Sequence, residues 1–172
     1  MHFLKERGVS SLTMESAMPL IVPAMGDLYA VLYPLSEMLL RVVAGFALVL
    51  HGLRMTFGYF PDASFTTCNL AMLAEKLDNR GYRPGKLWAA AISATQLGAG
   101  LMFTLGIFTR LFAIPIVIFL IVTSQERWRA GGYFWNQRGM EYPLLWTTVT
   151  MYFLIHGGGL YSLDQILLGG EF

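Results

Sequence analysis

The chain contains a single cysteine, Cys68, and little charge of either sign. One cysteine cannot form an intramolecular disulfide, so a secreted disulfide scaffold, a CxxC redox pair, a cysteine-rich zinc site and c-type haem attachment are excluded. Twelve Lys and Arg residues against eleven Asp and Glu residues give a net charge of +1 in 172 residues. This balance provides no basic surface for nucleic acid. The sequence also lacks P-loop, dinucleotide-binding, GxSxG and HExxH motifs, and we predict no metal site.

Apolar residues, by contrast, are abundant. They make up 55% of the chain, while charged residues make up 13%, a composition typical of membrane proteins. Four apolar stretches approach the roughly 20 residues that a helix needs to cross the bilayer. They are residues 35–57, 87–108, 111–125 and 139–156. Aromatic residues typical of a membrane interface gather around the end of the third stretch and the start of the fourth. We therefore predict an all-α integral membrane four-helix bundle.

The segments outside these spans have distinct patterns. Only Thr109 and Arg110 separate the second span from the third, which predicts an antiparallel helical hairpin. Between the first and second spans, residues 66–81 carry leucines at helical spacing, and this pattern predicts a short amphipathic helix at the membrane interface. Residues 1–34 lack the apolar core of a signal peptide and contain Pro19 and Pro23. We interpret them as an N-terminal extension, interfacial or partner-contacting, preceding a transmembrane domain of residues 35–172.

The distribution of basic residues predicts an orientation. Four crossings place both termini on one side of the membrane and the two long connections on the other. The side of the connections carries eight basic residues: Arg54, Lys76, Arg80, Arg83, Lys86, Arg127, Arg129 and Arg138. The side of the termini carries four: Lys5, Arg7, Arg41 and Arg110. The positive-inside rule then favours the connections as cytoplasmic.

Ionisable residues within membrane spans are costly and are usually paired or functional. His51 and Arg54 lie near one end of the first span, and Glu141 begins the fourth span at the same side. These three are the candidate catalytic residues. His51 and His156 are expected near opposite membrane faces, about 20 Å apart by helical rise, so they cannot share a haem iron.

Each candidate also has a structural interpretation. His51 can bond a backbone carbonyl or Glu141, or it can exchange a proton with a quinone headgroup. Gln96 can form an interhelical hydrogen bond or contact a quinone. Glu141 can cap a helix or belong to an ionisable site with His51. Arg41, paired with Asp164 or Glu37, is interpreted as a structural latch at the opposite end.

Several motifs occur in a characteristic order over residues 39–167. They are Arg41, His51-Gly52-Leu53-Arg54, Phe57-Gly58, Gly98 and Gly100, Leu105-Gly106-Ile107-Phe108-Thr109-Arg110, Glu141-Tyr142-Pro143-Leu144 and Tyr161-Ser162-Leu163-Asp164. Together they resemble the DoxX family. The resemblance implies a small four-helix protein of the prokaryotic cytoplasmic membrane. It also implies an association with quinone-linked redox systems, including a terminal quinol oxidase and, in the related DoxD group, thiosulfate:quinone oxidoreductase.

This sequence differs from many DoxX-like proteins at one position, because Gln96 stands where they carry a glutamate. An amide cannot carry a proton there, which weakens an independent enzymatic role. We therefore favour an accessory subunit of a larger membrane redox or energy-converting complex, with no cofactor of its own, contacting other membrane subunits and the lipid bilayer. The alternative is a quinone-reactive oxidoreductase subunit. A small-solute carrier is disfavoured because the chain shows no inverted repeat.

Overall fold

The computed structural model describes residues 25–60 and 69–169, and within these ranges it contains helices and turns but no strand. The helices are α1 (Gly26–Phe57), α2 (Leu70–Asn79), α3 (Gly85–Ala94), α4 (Gly100–Leu105), α5 (Thr109–Gly131), α6 (Glu141–His156) and α7 (Leu163–Leu168). A π-helical turn, Thr95–Ala99, joins α3 to α4, and a 3-10 turn, Trp135–Gln137, precedes α6. Residues 35–172 form one compact unit, and every tertiary contact described below lies within it.

Among the described residues, three helices are long and apolar enough to cross a membrane. They are Leu28–Phe57, Gly85–Leu105 and Thr109–Gly131. Helix α6 occupies the predicted fourth span. With 16 residues it is shorter than the minimum of 18 residues that the three other helices meet. The predicted all-helical class and its membrane-helix character are therefore confirmed.

Helix α1 begins nine residues earlier than the predicted first span, at Gly26 rather than at residue 35. Pro34 lies inside the helix. Proline removes one backbone hydrogen bond, but a long apolar helix accommodates it. Residues 26–33, predicted as part of a broken interfacial segment, are thus helical. Residues 1–24 of the predicted extension lie outside the described residues.

The connection between the second and third spans also differs from the prediction. The turn is formed by residues 106–108, whereas Thr109 and Arg110 are the first two residues of α5. Gly106 adopts a left-handed conformation with φ of 74°, and the Ile107 N–H donates to the Met102 carbonyl at 3.0 Å. This is the usual way in which a glycine ends a helix. The hairpin itself is as expected.

Helix α1 runs antiparallel to the continuous segment formed by α3, the π-helical turn and α4. Near one end of this pair, the Thr56 hydroxyl donates to Ser93 Oγ at 2.9 Å. Farther along, a Cβ added to Gly52 would lie 2.8 Å from Leu97 Cδ2. At the other end, Gly45 packs against Thr104. Glycine at these positions permits the close approach of the two helices.

Helices α5 and α6 are also antiparallel. At one end the Met140 and Glu141 N–H groups donate to the Gly132 and Tyr133 carbonyls, each at 3.0 Å. At the other end Arg110 Nη2 donates to the His156 carbonyl at 3.5 Å. The core between the long helices is apolar and comprises Ala44, Leu48, Ala99, Phe103, Ala113, Ile116, Leu120 and Phe153.

Helix α2 matches the predicted amphipathic pattern, and its apolar face packs on α3. Leu73 and Ala74 are buried against Ala89. Asn69 caps the start of α2 by accepting the Met72 N–H at 2.9 Å, and Asp78 Oδ1 accepts the Gly85 N–H at 2.7 Å. The α2–α3 hairpin is thus held by both apolar packing and a side-chain hydrogen bond.

Candidate functional site

Polar residues lie at two opposite ends of the helices. We call the first the Arg41 end; it comprises Glu37, Arg41, Gly106, Thr109, Tyr152, His156, Gly158 and Asp164. We call the second the His51 end; it comprises His51, Arg54, Arg127, Arg138 and Glu141. His51 and His156 therefore lie at opposite ends, as the helical rise predicts.

Arg41 is the most deeply buried charged residue described, with 1% of its surface exposed. Its guanidinium donates to the Gly158 carbonyl through Nη1 and to the Tyr161 carbonyl through Nη2, the latter at 2.8 Å. It also packs on Gly106, where an added Cβ would lie 2.8 Å from Cζ. These carbonyls and Gly106 follow the C-termini of α6 and α4, which carry partial negative charge. Arg41 thus binds the ends of two helices to α1.

Asp164 lies in the first turn of α7 and is 4% exposed. Its Oδ2 accepts the Thr109 N–H at 3.3 Å, and its own N–H donates to the Gly106 carbonyl at 3.1 Å. A carboxylate suits this position because the N-terminus of α5 carries partial positive charge. Arg41 and Asp164, the two predicted latch residues, thus both contact the residue 106–109 turn.

Sequence reasoning missed the residues that surround Arg41. The Tyr152 hydroxyl donates to Glu37 Oε1, and its ring stacks on His156 with centroids 4.2 Å apart. Ser162 is fully buried and caps α7 by accepting the Gln165 N–H at 3.2 Å. The signal available in the sequence was the glycine run 157–159. Gly158, in the middle of this run, supplies a carbonyl for Arg41.

The His51 end is arranged differently. His51 lies exposed on α1, and the charged groups acting on it are Arg54 and Arg127. Glu141 Oε2 instead accepts the Trp135 N–H at 3.2 Å. Among the described residues no hydrogen bond between His51 and Glu141 is recorded, and the structure favours the interpretation of Glu141 as a partner of backbone N–H groups. Glu141 fixes the turn that precedes α6, and His51 faces outward.

Gln96 lies within the π-helical turn and is 3% exposed. Its Nε2 is 3.9 Å from Met55 Sδ on α1, a weak interhelical contact. Its Oε1 has no hydrogen-bond partner among the described residues. The sequence did not predict the π-helical turn, and such turns are frequent at functional sites. Gln96 therefore presents a buried acceptor one turn from the level of His51.

No group of three or more His, Cys, Asp or Glu side chains that could hold a metal ion occurs in residues 25–60 and 69–169. The polar residues form hydrogen-bonded groups at the two ends of an apolar helical core. This arrangement defines a helical membrane protein with separate polar ends.

Comparison with known proteins identifies the family. The model of the DoxX family matches residues 36–125, just over half of the chain. The chain therefore belongs to the DoxX family. No curated protein and no solved structure matches it. The matched segment includes Arg41, His51 and Gln96, and it ends before Glu141 and Asp164.

Proposed function

We propose that this DoxX protein is a non-catalytic subunit that stabilises or assembles a larger redox or energy-converting complex in the prokaryotic cytoplasmic membrane. The proposal assigns it no cofactor of its own and a role in contacting other membrane subunits. Family membership supports the link to redox or quinone-related systems. The structural argument rests on how the polar side chains are used.

Buried polar side chains mostly bind the chain's own backbone. Arg41 and Asp164 bind backbone groups at helix ends, and Thr147, Thr150 and Ser124 each donate to the carbonyl four residues earlier. These hydrogen bonds stabilise the fold and occupy the polar groups that form them. His51, in contrast, is exposed beside two cationic residues. The proposal rests on this contrast between buried polar side chains that bond the backbone and an exposed His51.

The proposed membrane arrangement has four crossings, with α6 as the fourth. Its 16 residues extend roughly 24 Å at 1.5 Å per residue. It is antiparallel to α5, and contacts at both ends place it beside that membrane-length helix. In this arrangement both termini lie on one side, the His51 end faces the cytoplasm, and α2 lies at the membrane interface.

Native purification tests the proposal. The tagged full chain is isolated from its host in mild detergent, and co-purifying chains, the visible spectrum and extracted quinone are measured. We expect stoichiometric redox subunits that bring their own haem, flavin or chlorophyll. A colourless, isolated protein that retains quinone would contradict the accessory role. Deletion of residues 1–24, which precede α1, tests whether the extension holds the partner, and it is expected to release the subunit.

A quinone-reactive subunit is the second candidate, and the buried Oε1 of Gln96 favours it. An acceptor without a protein partner can bind a quinol hydroxyl, with His51 exchanging a proton and Arg54 stabilising developing negative charge. Its electrons would come from a partner subunit.

The two candidates predict different effects of His51→Ala on quinone-dependent turnover of the intact complex. The accessory role predicts unchanged turnover, whereas the quinone-reactive role predicts its loss. His156→Ala provides the matched control, because it removes an exposed histidine at the opposite end. Glu141→Gln is measured in parallel, and loss of turnover in both His51→Ala and Glu141→Gln would reverse the preference.

A further inference from the structure

A polar groove of about 320 Å³ lies between the α2–α3 connection and the last turns of α5. Glu126 is at its centre. Its Oε1 accepts the Tyr82 hydroxyl at 3.0 Å, and its two oxygens lie 3.7 Å from Arg80 Nη1 and 3.4 Å from Arg129 Nη1. One carboxylate thus positions a phenol and two guanidinium groups contributed by two segments of the chain, the α2–α3 connection and α5.

The two arginines retain most of their donor capacity. Each guanidinium has five N–H donors, and the structure records only Glu126 as their partner among the described residues. Their side chains are 62% and 64% exposed. With Glu126 included, the three groups carry a net charge of +1. The groove therefore suits an anion that can accept hydrogen bonds from both arginines at once.

The position of the groove indicates where this anion comes from. Arg129 and Ala130 occupy the last turn of a membrane-length helix. Trp128 is exposed beside them, and Trp88 contacts the Tyr82 ring edge-on with centroids 6.2 Å apart. Exposed tryptophan and tyrosine at the end of an apolar helix are typical of the headgroup level of a membrane. At this depth the available anions are phospholipid headgroups.

We propose that Arg80 and Arg129 bind the phosphate of an anionic phospholipid headgroup, whose presence joins the α2–α3 hairpin to α5. Arginine suits this role because its planar fork donates to two phosphate oxygens. Basic residues on the cytoplasmic side of membrane helices attract anionic lipids in general. The specific claim is that these two residues bind more lipid than other basic residues at the same end.

Lipid binding to the purified full chain tests the proposal. The protein is reconstituted in phosphatidylcholine nanodiscs with increasing phosphatidylglycerol, and retained lipid is counted by native mass spectrometry alongside the midpoint of thermal unfolding. We expect phosphatidylglycerol to bind and to raise the midpoint. Arg80→Gln and Arg129→Gln are each expected to weaken binding about tenfold, because each removes a charge-assisted hydrogen bond.

Lys86→Gln is the matched control. Lys86 is an exposed basic residue at the start of α3, outside the groove lining. It is expected to leave the affinity for phosphatidylglycerol close to that of the wild type. Equal losses in Lys86→Gln and the arginine variants would reduce the effect to surface charge and overturn the proposal.

Two further measurements keep the result interpretable. Inorganic phosphate is expected not to raise the unfolding midpoint, and an equal effect of phosphate would contradict the assignment to a lipid. The double variant Arg80→Lys with Arg129→Lys keeps both charges but loses the fork geometry. It is expected to bind phosphatidylglycerol more weakly than the wild type, and unchanged binding in it would also contradict the proposed contact.

Discussion

Arg41 and Asp164, at the Arg41 end, are buried and bind backbone atoms, whereas His51 and Arg127, at the His51 end, are exposed. Arg41 and Asp164 have 1% and 4% of their surfaces exposed. His51 and Arg127 are exposed on the outer surfaces of their helices. The residue types at the two ends are similar, so residue type does not explain the difference. What differs is the partner of the backbone groups at the helix ends: Arg41 and Asp164 side chains bind them at one end, whereas backbone groups of residues 132–133 and 140–141 pair with each other at the other end.

At the Arg41 end, α4 and α6 terminate and α5 begins within one small region. Helix termini leave carbonyl and N–H groups without intrahelical partners. Arg41 supplies donors to carbonyls that follow α6, and Asp164 supplies an acceptor to the first residue of α5. The buried charges of Arg41 and Asp164 therefore stabilise these helix ends. At the other end, His51 and Arg127 are exposed on the surface of the chain.

The largest effect is expected from Arg41→Ala. The substitution leaves the Gly158 and Tyr161 carbonyls without their donor, so we expect a loss of stability of roughly 2–5 kcal/mol. The measurement is unfolding of the detergent-solubilised chain, followed by circular dichroism. Arg127→Ala, an exposed arginine at the His51 end, is expected to cost less than about 1 kcal/mol. Equal losses of stability in Arg41→Ala and Arg127→Ala would contradict the distinction between the two ends.

A pair of glycine substitutions separates packing from backbone strain. Gly106 and Gly81 both have positive φ, 74° and 93°, so alanine is strained at each by about 1–2 kcal/mol. At Gly106 the new Cβ would also lie 2.8 Å from Arg41 Cζ, whereas at Gly81 it would meet no described atom within 4 Å. Gly106→Ala is expected to cost at least about 1 kcal/mol more than Gly81→Ala, because the buried guanidinium must move. Thermal unfolding of both variants measures the difference.

Features governed by local sequence were predicted well. The leucine spacing of residues 66–81 predicted a short helix, and α2 corresponds to it. Local signals suffice there because amphipathic spacing repeats with each helical turn. The long helices follow from apolar length alone, although Pro34 obscured the start of α1.

Features governed by tertiary contacts were predicted poorly. The partner of Glu141 depends on how the chain returns from α5 through Trp135, and the sequence does not encode that path locally. The π-helical turn around Gln96 likewise lacks a local sequence rule. Helical rise predicts that Arg41 and Asp164 lie at the same end, but their contacts with the residue 106–109 turn depend on the convergence of three helix ends.

Gln96→Leu tests the buried amide between the two ends. Gln96 Oε1 has no partner among the described residues, and the amide Nε2 makes a long contact with Met55 Sδ. Removing a buried unsatisfied acceptor without changing side-chain size greatly is expected to stabilise the isolated chain by about 1 kcal/mol. Thermal unfolding in detergent measures this. A loss of more than about 2 kcal/mol would indicate that the amide is satisfied and structural.

The smallest effect concerns Tyr82 and its dependence on pH. The hydrogen bond to Glu126 raises the pKa of the Tyr82 phenol above its ordinary value, because the bond requires the protonated form. A raised pKa contributes stability that is fully present below the ordinary tyrosine pKa of about 10 and is lost as pH rises through the folded-state value.

Tyr82→Phe should therefore destabilise the chain by less than about 1 kcal/mol near neutral pH, since the bond is partly exposed. The difference between wild type and variant should shrink only above about pH 10, as the phenol ionises in the folded protein. Lys86→Gln, at the same end, should show no such pH dependence. The measurement is the unfolding midpoint from pH 7 upward, together with the difference in tyrosinate absorbance between the wild type and Tyr82→Phe.

A tyrosinate that forms below the ordinary pKa would show that Arg80 and Arg129, rather than Glu126, dominate the surroundings of Tyr82. The groove would then be more positive than its hydrogen bonds indicate.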